Sequence, residues 1–532
     1  MEGDKRTIGA FRRDEIEYRK IEKPLRSHEP LDRAALLTHW FGPPLKGSDR
    51  QFLSIVGVCS LVFLGVLVGV GILTDGIRSV STPSDAAPTL LATPTSGSGQ
   101  KRQDILTHAA TLAASYDYDG AIELIKTWPT FADDAEMREA IASYQAIKET
   151  LVPVDIFSVT HIFYHSLIVD PQRAFAEHDW DGQSQGMNQW MTTVDEFNMI
   201  TQEMYDRGFV LVSIHDLIHE TTDENGRIVF EPGIIMLPPD KKAFVMSIDD
   251  VSYYHNYGGY GLASRLLIDE QGAVVAEYEQ SDGTILYGAY DVVPLLDQFI
   301  EQHPDASYKG AKGIIALTGY NGVLGYRTDE TYGYGHPEMD GEQAAFLAEH
   351  PDFDLEAERQ KAKEVADAMK ADGWQFASHT WGHLKAGSDP LGDLVADAQR
   401  WTGNVEPIVG PTDVLILAFG EDFQGWENYD RSEARFQFFY DLGFRIFCGV
   451  SPDHYKVWLG DDYLRMNRRN LDGYRIYFNS IGVADDLWDL FDPTLVLDPA
   501  RPPVMELTHL IPGADAPEEE AEGDEGAQEE EW

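Results

Sequence analysis

Two segments of the 532-residue chain place metal-capable side chains where an apolar run ends. Residues 244–250 read Phe-Val-Met-Ser-Ile-Asp-Asp, closing on the adjacent carboxylates Asp249 and Asp250. Residues 374–383 read Trp-Gln-Phe-Ala-Ser-His-Thr-Trp-Gly-His, a second apolar run that feeds His379 and His383, four residues apart. One carboxylate and two imidazoles, with a spare carboxylate alongside, suit a divalent cation, Zn²⁺ above all, and leave positions open for water and substrate. Open positions mean catalysis rather than a structural metal. Neither spacing is unusual alone: His161/His165 and His215/His219 repeat the histidine spacing, and Asp133-Asp134, Asp461-Asp462 and Asp485-Asp486 repeat the aspartate pair. Context separates them, because only Asp249-Asp250 follows directly on a strand-like apolar run, and in α/β folds chemistry gathers at the carboxyl ends of strands.

The elements that would position these residues alternate from Val154 onward between strand and helix patterns, the signature of a largely parallel α/β architecture. Residues 159–165 form an early strand. Thr193 caps a helix through Tyr205 that carries Phe197, Ile200 and Met204 on one face, and a strand follows Gly208. Residues 242–248 are the strand into Asp249. The spacing also predicts a helix over 291–302, a strand over 314–318, and a helix whose Ala362, Val365, Ala366 and Met369 share a face before Gly373 stops it. The Tyr/Gly-rich stretches 253–260 and 319–327 are loops.

Ser247-Ile-Asp249-Asp250 and His379-Thr-Trp-Gly-His383 resemble the first two motifs of the polysaccharide deacetylase (NodB-homology) family, carbohydrate esterase family four, and Tyr164-His165 resembles the opening strand of many members. The likeness spans residues 155–500 and implies a distorted (β/α) barrel. It further implies that Asp250, His379 and His383 are the metal ligands, that Asp249 is the general base, and that an N-acetylated polysaccharide, peptidoglycan or a GlcNAc polymer, is the substrate. The family's general acid is a His within Leu-x-His, and Leu507-Thr-His509 has those letters, in a setting between Arg501-Pro-Pro and an acidic tail. The family's third motif should fall at residues 416–421, but its Arg, which orients the base, and its Pro are missing there. Asp422 or Glu421 is the substitute at hand, or a surface acid. A glycan-binding homologue without activity and an envelope assembly factor are the rival readings. His165 reads as satisfied within its strand, and the basic run Arg465 to Arg469 as pairing with Asp461 and Asp462 or binding an anionic glycan group.

Charge and composition bound the rest. Residues 52–73 are 22 residues without a charge, about 33 Å of helix at ~1.5 Å per residue, enough for one membrane crossing. Eleven Lys or Arg precede that run and only Arg78 lies between 74 and 100, which places residues 1–51 in the cytoplasm and the remainder outside. Residues 101–532 carry 29 basic and 79 acidic side chains, a net charge of −50 that argues against nucleic acid as a partner. Residues 74–100 read as a flexible stalk, 101–152 as a tetratricopeptide-like helical hairpin, 153–511 as the catalytic domain and 512–532 as a disordered acidic tail. The two cysteines, Cys59 and Cys448, are badly placed to pair, so no disulfide holds the fold.

Overall fold

A computed structural model describes residues 96–178, 181–425, 428–451 and 456–502. The membrane run at 52–73, its cytoplasmic flank, His509 and the acidic tail lie outside the described residues. Among those described, no helix is long and apolar enough to cross a membrane. Helix begins earlier than the stalk reading allows: α1 spans Ser96–Ala114, and the Gln100 amide donates to Asp104 one turn on.

Seven parallel strands close into a barrel. In chain order the strands are β1 (Thr160–Tyr164), β2 (Phe209–Leu211), β3 (Lys242–Ile248), β4 (Ile314–Leu317), β5 (Gln375–Ser378), β6 (Val414–Ile416), β7 (Ile446–Val450), β8 (Val457–Leu459) and β9 (Leu464–Asn470). The ring runs β1-β3-β4-β5-β6-β7-β9 and back to β1. Its distortion lies in β3, which pairs with β2 through Lys242–Phe244 and with β4 through Ser247 and Ile248. The short β2 thus wedges into the amino end of the barrel and lets the carboxyl end close. On the far side β8 runs antiparallel along the amino half of β9.

Alternation along each strand divides the apolar side chains into two layers. Val245, Ala316, Ala377, Ile416, Cys448 and Met466 fill the interior, while Ile162, Met246, Ile315, Leu317 and Phe376 pack outward against helices. Those helices are where the periodicity puts them. Val194–Asp206 starts at Thr193, whose side chain and that of Glu196 form a reciprocal cap, and Val292–Gln302 is capped by Asp291. Leu355–Ala371 buries Ala362, Val365, Ala366 and Met369 ahead of Gly373, whose φ of +99° ends it. The region between β3 and β4 also holds an antiparallel sheet, Arg265–Ile268, Val274–Glu279 and Ile285–Gly288, that the sequence reading leaves out.

The hairpin at 101–152 is three helices: α1, α2 (Tyr118–Lys126) and α3 (Ala135–Lys148). The turn between α1 and α2 lies at Ser115 to Asp117, with Tyr116 at φ +68° and Asp117 capping α2. Ala109, Ile125 and Met137 join the cluster that fills the barrel interior. Tyr116 stacks on Tyr308 and donates its hydroxyl to the Asp305 carbonyl at 2.9 Å, just ahead of β4. The helices therefore close the amino end of the barrel. Tyr116→Ala should lower stability by about 3 kcal/mol, as for other buried aromatics truncated to Ala. Urea unfolding should stay a single transition, whereas a separate early transition would show helices that fold apart from the barrel.

Candidate metal centre

At the carboxyl end of β3 the backbone divides two neighbouring carboxylates. The Asp249 N–H donates to the Tyr164 carbonyl of β1 at 2.8 Å, and the Asp250 N–H to the Ala316 carbonyl of β4 at 3.1 Å, so each residue is fixed to a different neighbour. Asp250 then turns left-handed at φ +59°, a conformation that a non-glycine residue adopts only when its surroundings hold it there. Its Oδ1 accepts the Tyr254 hydroxyl at 2.7 Å. Oδ2 faces His383 Nε2 at 3.9 Å and His165 Nε2 at 4.0 Å.

His379 follows β5, its N–H bonded to the Leu317 carbonyl at 2.9 Å. Its Nδ1 sits 2.8 Å from the Ile416 carbonyl at the end of β6. A carbonyl only accepts, so the proton is on Nδ1 and the Nε2 lone pair is free to bind metal. Residues 380 to 383 loop back with Thr380 at φ +61° and His383 at φ +57°. The loop is anchored by Asp397, a buried acid on Leu391–Asn404 that accepts the Trp381 N–H at 2.7 Å and the Gly382 N–H at 2.6 Å. Burial raises Asp397 to about 6. Burial takes His383 the other way, down to about 4, which leaves it a neutral imidazole at neutral pH.

One ligand atom each from Asp250, His379 and His383 lies within 4.8 Å of the other two. Ligands about 2.1 Å from a tetrahedral ion stand roughly 3.4 Å apart, so this cluster fits a divalent cation after small side-chain shifts. The partners of these donors support the same reading, since the Ile416 carbonyl fixes one imidazole and Tyr254 one carboxylate oxygen.

Asp249 is held differently. Arg468, from the middle of β9, donates to Asp249 Oδ1 at 2.6 Å, while Oδ2 faces His379 Nε2 at 3.8 Å. Burial alone would raise this carboxyl, but Arg468 and His379 outweigh it and bring it down to about 2. The arginine beside Asp249 thus comes from β9 and not from residues 416–421. Neither suggested substitute serves: Glu421 follows the turn after β6, and Asp422 binds Arg465 at 2.8 Å and the Tyr429 hydroxyl at 2.5 Å.

Two further readings need correction. The run Arg465 to Arg469 is neither a surface patch nor the partner of Asp461 and Asp462; it is strand β9, with Arg465, Arg468 and Arg469 each 1% exposed. Alternation sends Arg468 inward to Asp249 and the other two outward to Asp422 and Asp489, while Asp462 takes Arg431. His165 is not absorbed in β1, which ends at Tyr164; it stands at the mouth of the centre. A period-two signal for β9, Leu464 and Met466 alternating with polar residues, is present in the sequence. His161 lies below the site and His215 outside it, bonded to Asp413 at 2.9 Å.

No protein-family model and no curated protein matches the chain. Among solved structures, the Streptococcus pyogenes deacetylase PplD in complex with acetate aligns at 12% identity over 61% of this chain and 94% of that one, with a TM-score of 0.30.

His379→Ala should weaken Zn²⁺ binding by more than ~100-fold, because losing even a group that only hydrogen-bonds to a ligand typically costs about 10–100-fold. His215→Ala should leave binding unchanged. Equal zinc titrations for His379→Ala and the parent protein would remove His379 from the ligand set.

Proposed function

We propose that the protein is a metal-dependent amide hydrolase that removes N-acetyl groups from a cell-surface polysaccharide, peptidoglycan or another GlcNAc polymer. One arrangement carries this reading: the Asp250, His379 and His383 donors converge beside a buried carboxylate, Asp249, that Arg468 holds in place. A divalent cation bound by these donors, zinc being the best match, supplies Lewis acidity that polarises an amide carbonyl and acidifies a water. Asp249 removes the water's proton through Oδ2, since Oδ1 is occupied by Arg468. The oxygen adds to the acetyl carbon, and collapse of the tetrahedral adduct breaks the C–N bond. The leaving amine needs a proton as it departs. His165 is the described residue best placed to give it, and His509 is the alternative that the family resemblance supplies. Phe419, 51% exposed and packed on His383, offers a sugar ring an apolar face.

A catalytically dead glycan binder rests on the missing third-motif arginine, and Arg468 fills that role. An assembly factor working through the helical hairpin would have to use its outer side, since Tyr116 and Ile125 are buried with the barrel while α3 buries only Met137. The uncharged run at 52–73 and its basic flank support a single-pass anchor with the barrel outside the cell.

Asp249→Asn keeps the shape of the side chain but cannot take a proton, so zinc should stay bound while acetate release from N-acetylated oligosaccharides falls by ~100-fold or more. Asp250→Asn should lose both. His165→Gln should cut turnover with zinc retained, whereas His509→Ala should not. Loss of zinc from Asp249→Asn would show that Asp249 is a ligand and not the base.

A further inference from the structure

Beneath the metal centre the apolar barrel interior is interrupted by polar side chains on three consecutive strands of the ring: Arg468 on β9, His161 on β1 and Ser247 on β3. Arg468 is in register with His161, and Ser247 lies two residues beyond the Val245 that faces His161. None of the three is more than 1% exposed. His161 Nε2 is 3.0 Å from Ser247 Oγ, and that oxygen accepts from Arg468 Nη1 at 3.1 Å. The same Nη1 donates to Asp249 Oδ1 at 2.6 Å, so its two hydrogens are divided between the serine and the carboxylate. Arg468 Nε reaches the Gly449 carbonyl at 3.3 Å, and its guanidinium lies over the Phe163 ring.

Such a group is costly to bury. His161 Nδ1 finds no hydrogen-bond partner among the described residues, and well-packed apolar side chains of similar volume often serve stability as well as a buried ionic cluster does. Burial, and then the neighbouring guanidinium, push the His161 pKa well below its ordinary value, so the ring is neutral. A neutral imidazole can take the hydrogen of the Ser247 hydroxyl at Nε2, which turns the oxygen's lone pairs toward Arg468.

We propose that His161 and Ser247 are positioning residues for the base: together they fix the head of Arg468, so that one Nη1 hydrogen meets Asp249 Oδ1 and Oδ2 is left facing the metal centre. The kinetic part of this inference rests on the reading of Asp249 as base; the structural part does not.

The test uses the zinc-loaded full chain with penta-N-acetylchitopentaose as probe, comparing His161→Leu, His161→Gln and Ser247→Ala. His161→Leu should lower kcat by between about 10-fold and 100-fold, the scale of a displaced catalytic group. KM, zinc affinity and Tm should hold. His161→Gln, whose amide can stand near the position of Nε2, should recover most of kcat. Equal losses in the Leu and Gln variants, or a changed KM with kcat intact, would overturn the proposal. Crystal structures give a reading that needs no turnover: the Asp249–Arg468 contact should open in His161→Leu and persist in His161→Gln, and an unchanged contact in His161→Leu overturns the proposal whatever the kinetics. Should the parent protein release no acetate, the deacetylase reading fails and the crystallographic comparison still decides the positioning role. Should His161→Leu fail to fold, Ser247→Ala removes a single oxygen and is read in the same two ways.

Discussion

A guanidinium buried inside a barrel has to be met by a carboxylate, and much of the site follows from where that carboxylate stands. Uncompensated, the charge of Arg468 would cost several kcal/mol in this interior. Asp249 meets it from the end of β3, two strands away in the ring, and in doing so commits Oδ1. The next residue is then free for other work. Asp250 leaves the strand direction at φ +59° and carries its carboxylate to the side where His379 and His383 arrive. Two identical side chains, adjacent in sequence, acquire different roles because one is paired with a buried cation and the other is turned away from it.

This division is held by backbone that would not choose its own shape. Asp250, Thr380, His383 and Phe419 all lie at positive φ without being glycine, at a cost of roughly 1–3 kcal/mol each, and all four belong to the metal centre or its rim. What over-determines them is the end of the parallel ladder. The Asp249, Asp250 and His379 N–H groups are fixed to β1, β4 and β4 carbonyls, and Asp397 grips the loop between the two histidines through two N–H bonds. Ring closure through β3 and β4 is therefore part of the chemistry: without it Asp250 and His379 would lose the strand they share.

The sequence is most legible where function is local. Asp249-Asp250 and His379…His383 can be singled out because each ends an apolar run, and the helices at 193–205, 291–302 and 363–373 carry their own periodicity and stops. Arg468 is illegible for the opposite reason. Its partner is 219 residues away, and a run with three arginines looks solvated until the partner strands are known. His165 is one residue beyond the end of a strand, where a shift by one position decides whether a side chain is core or site. Asp397 hides among Leu394, Val395, Ala398 and Trp401 on a helix face that reads as plain core, because its partners are backbone N–H groups that carry no residue signature.

The two ends of the barrel are treated oppositely, and the contrast bears on how substrate arrives. The amino end is filled: β2 wedges between its neighbours, β8 lies along β9, and α1 to α3 add their apolar faces to the interior cluster. The carboxyl end keeps the metal donors, the half-exposed Phe419 and the partly exposed His165 and His383. A net charge of −50 on residues 101–532 repels anionic polymers at long range, so under the proposed function the open end would take a neutral N-acetylated glycan more readily than an anionic one.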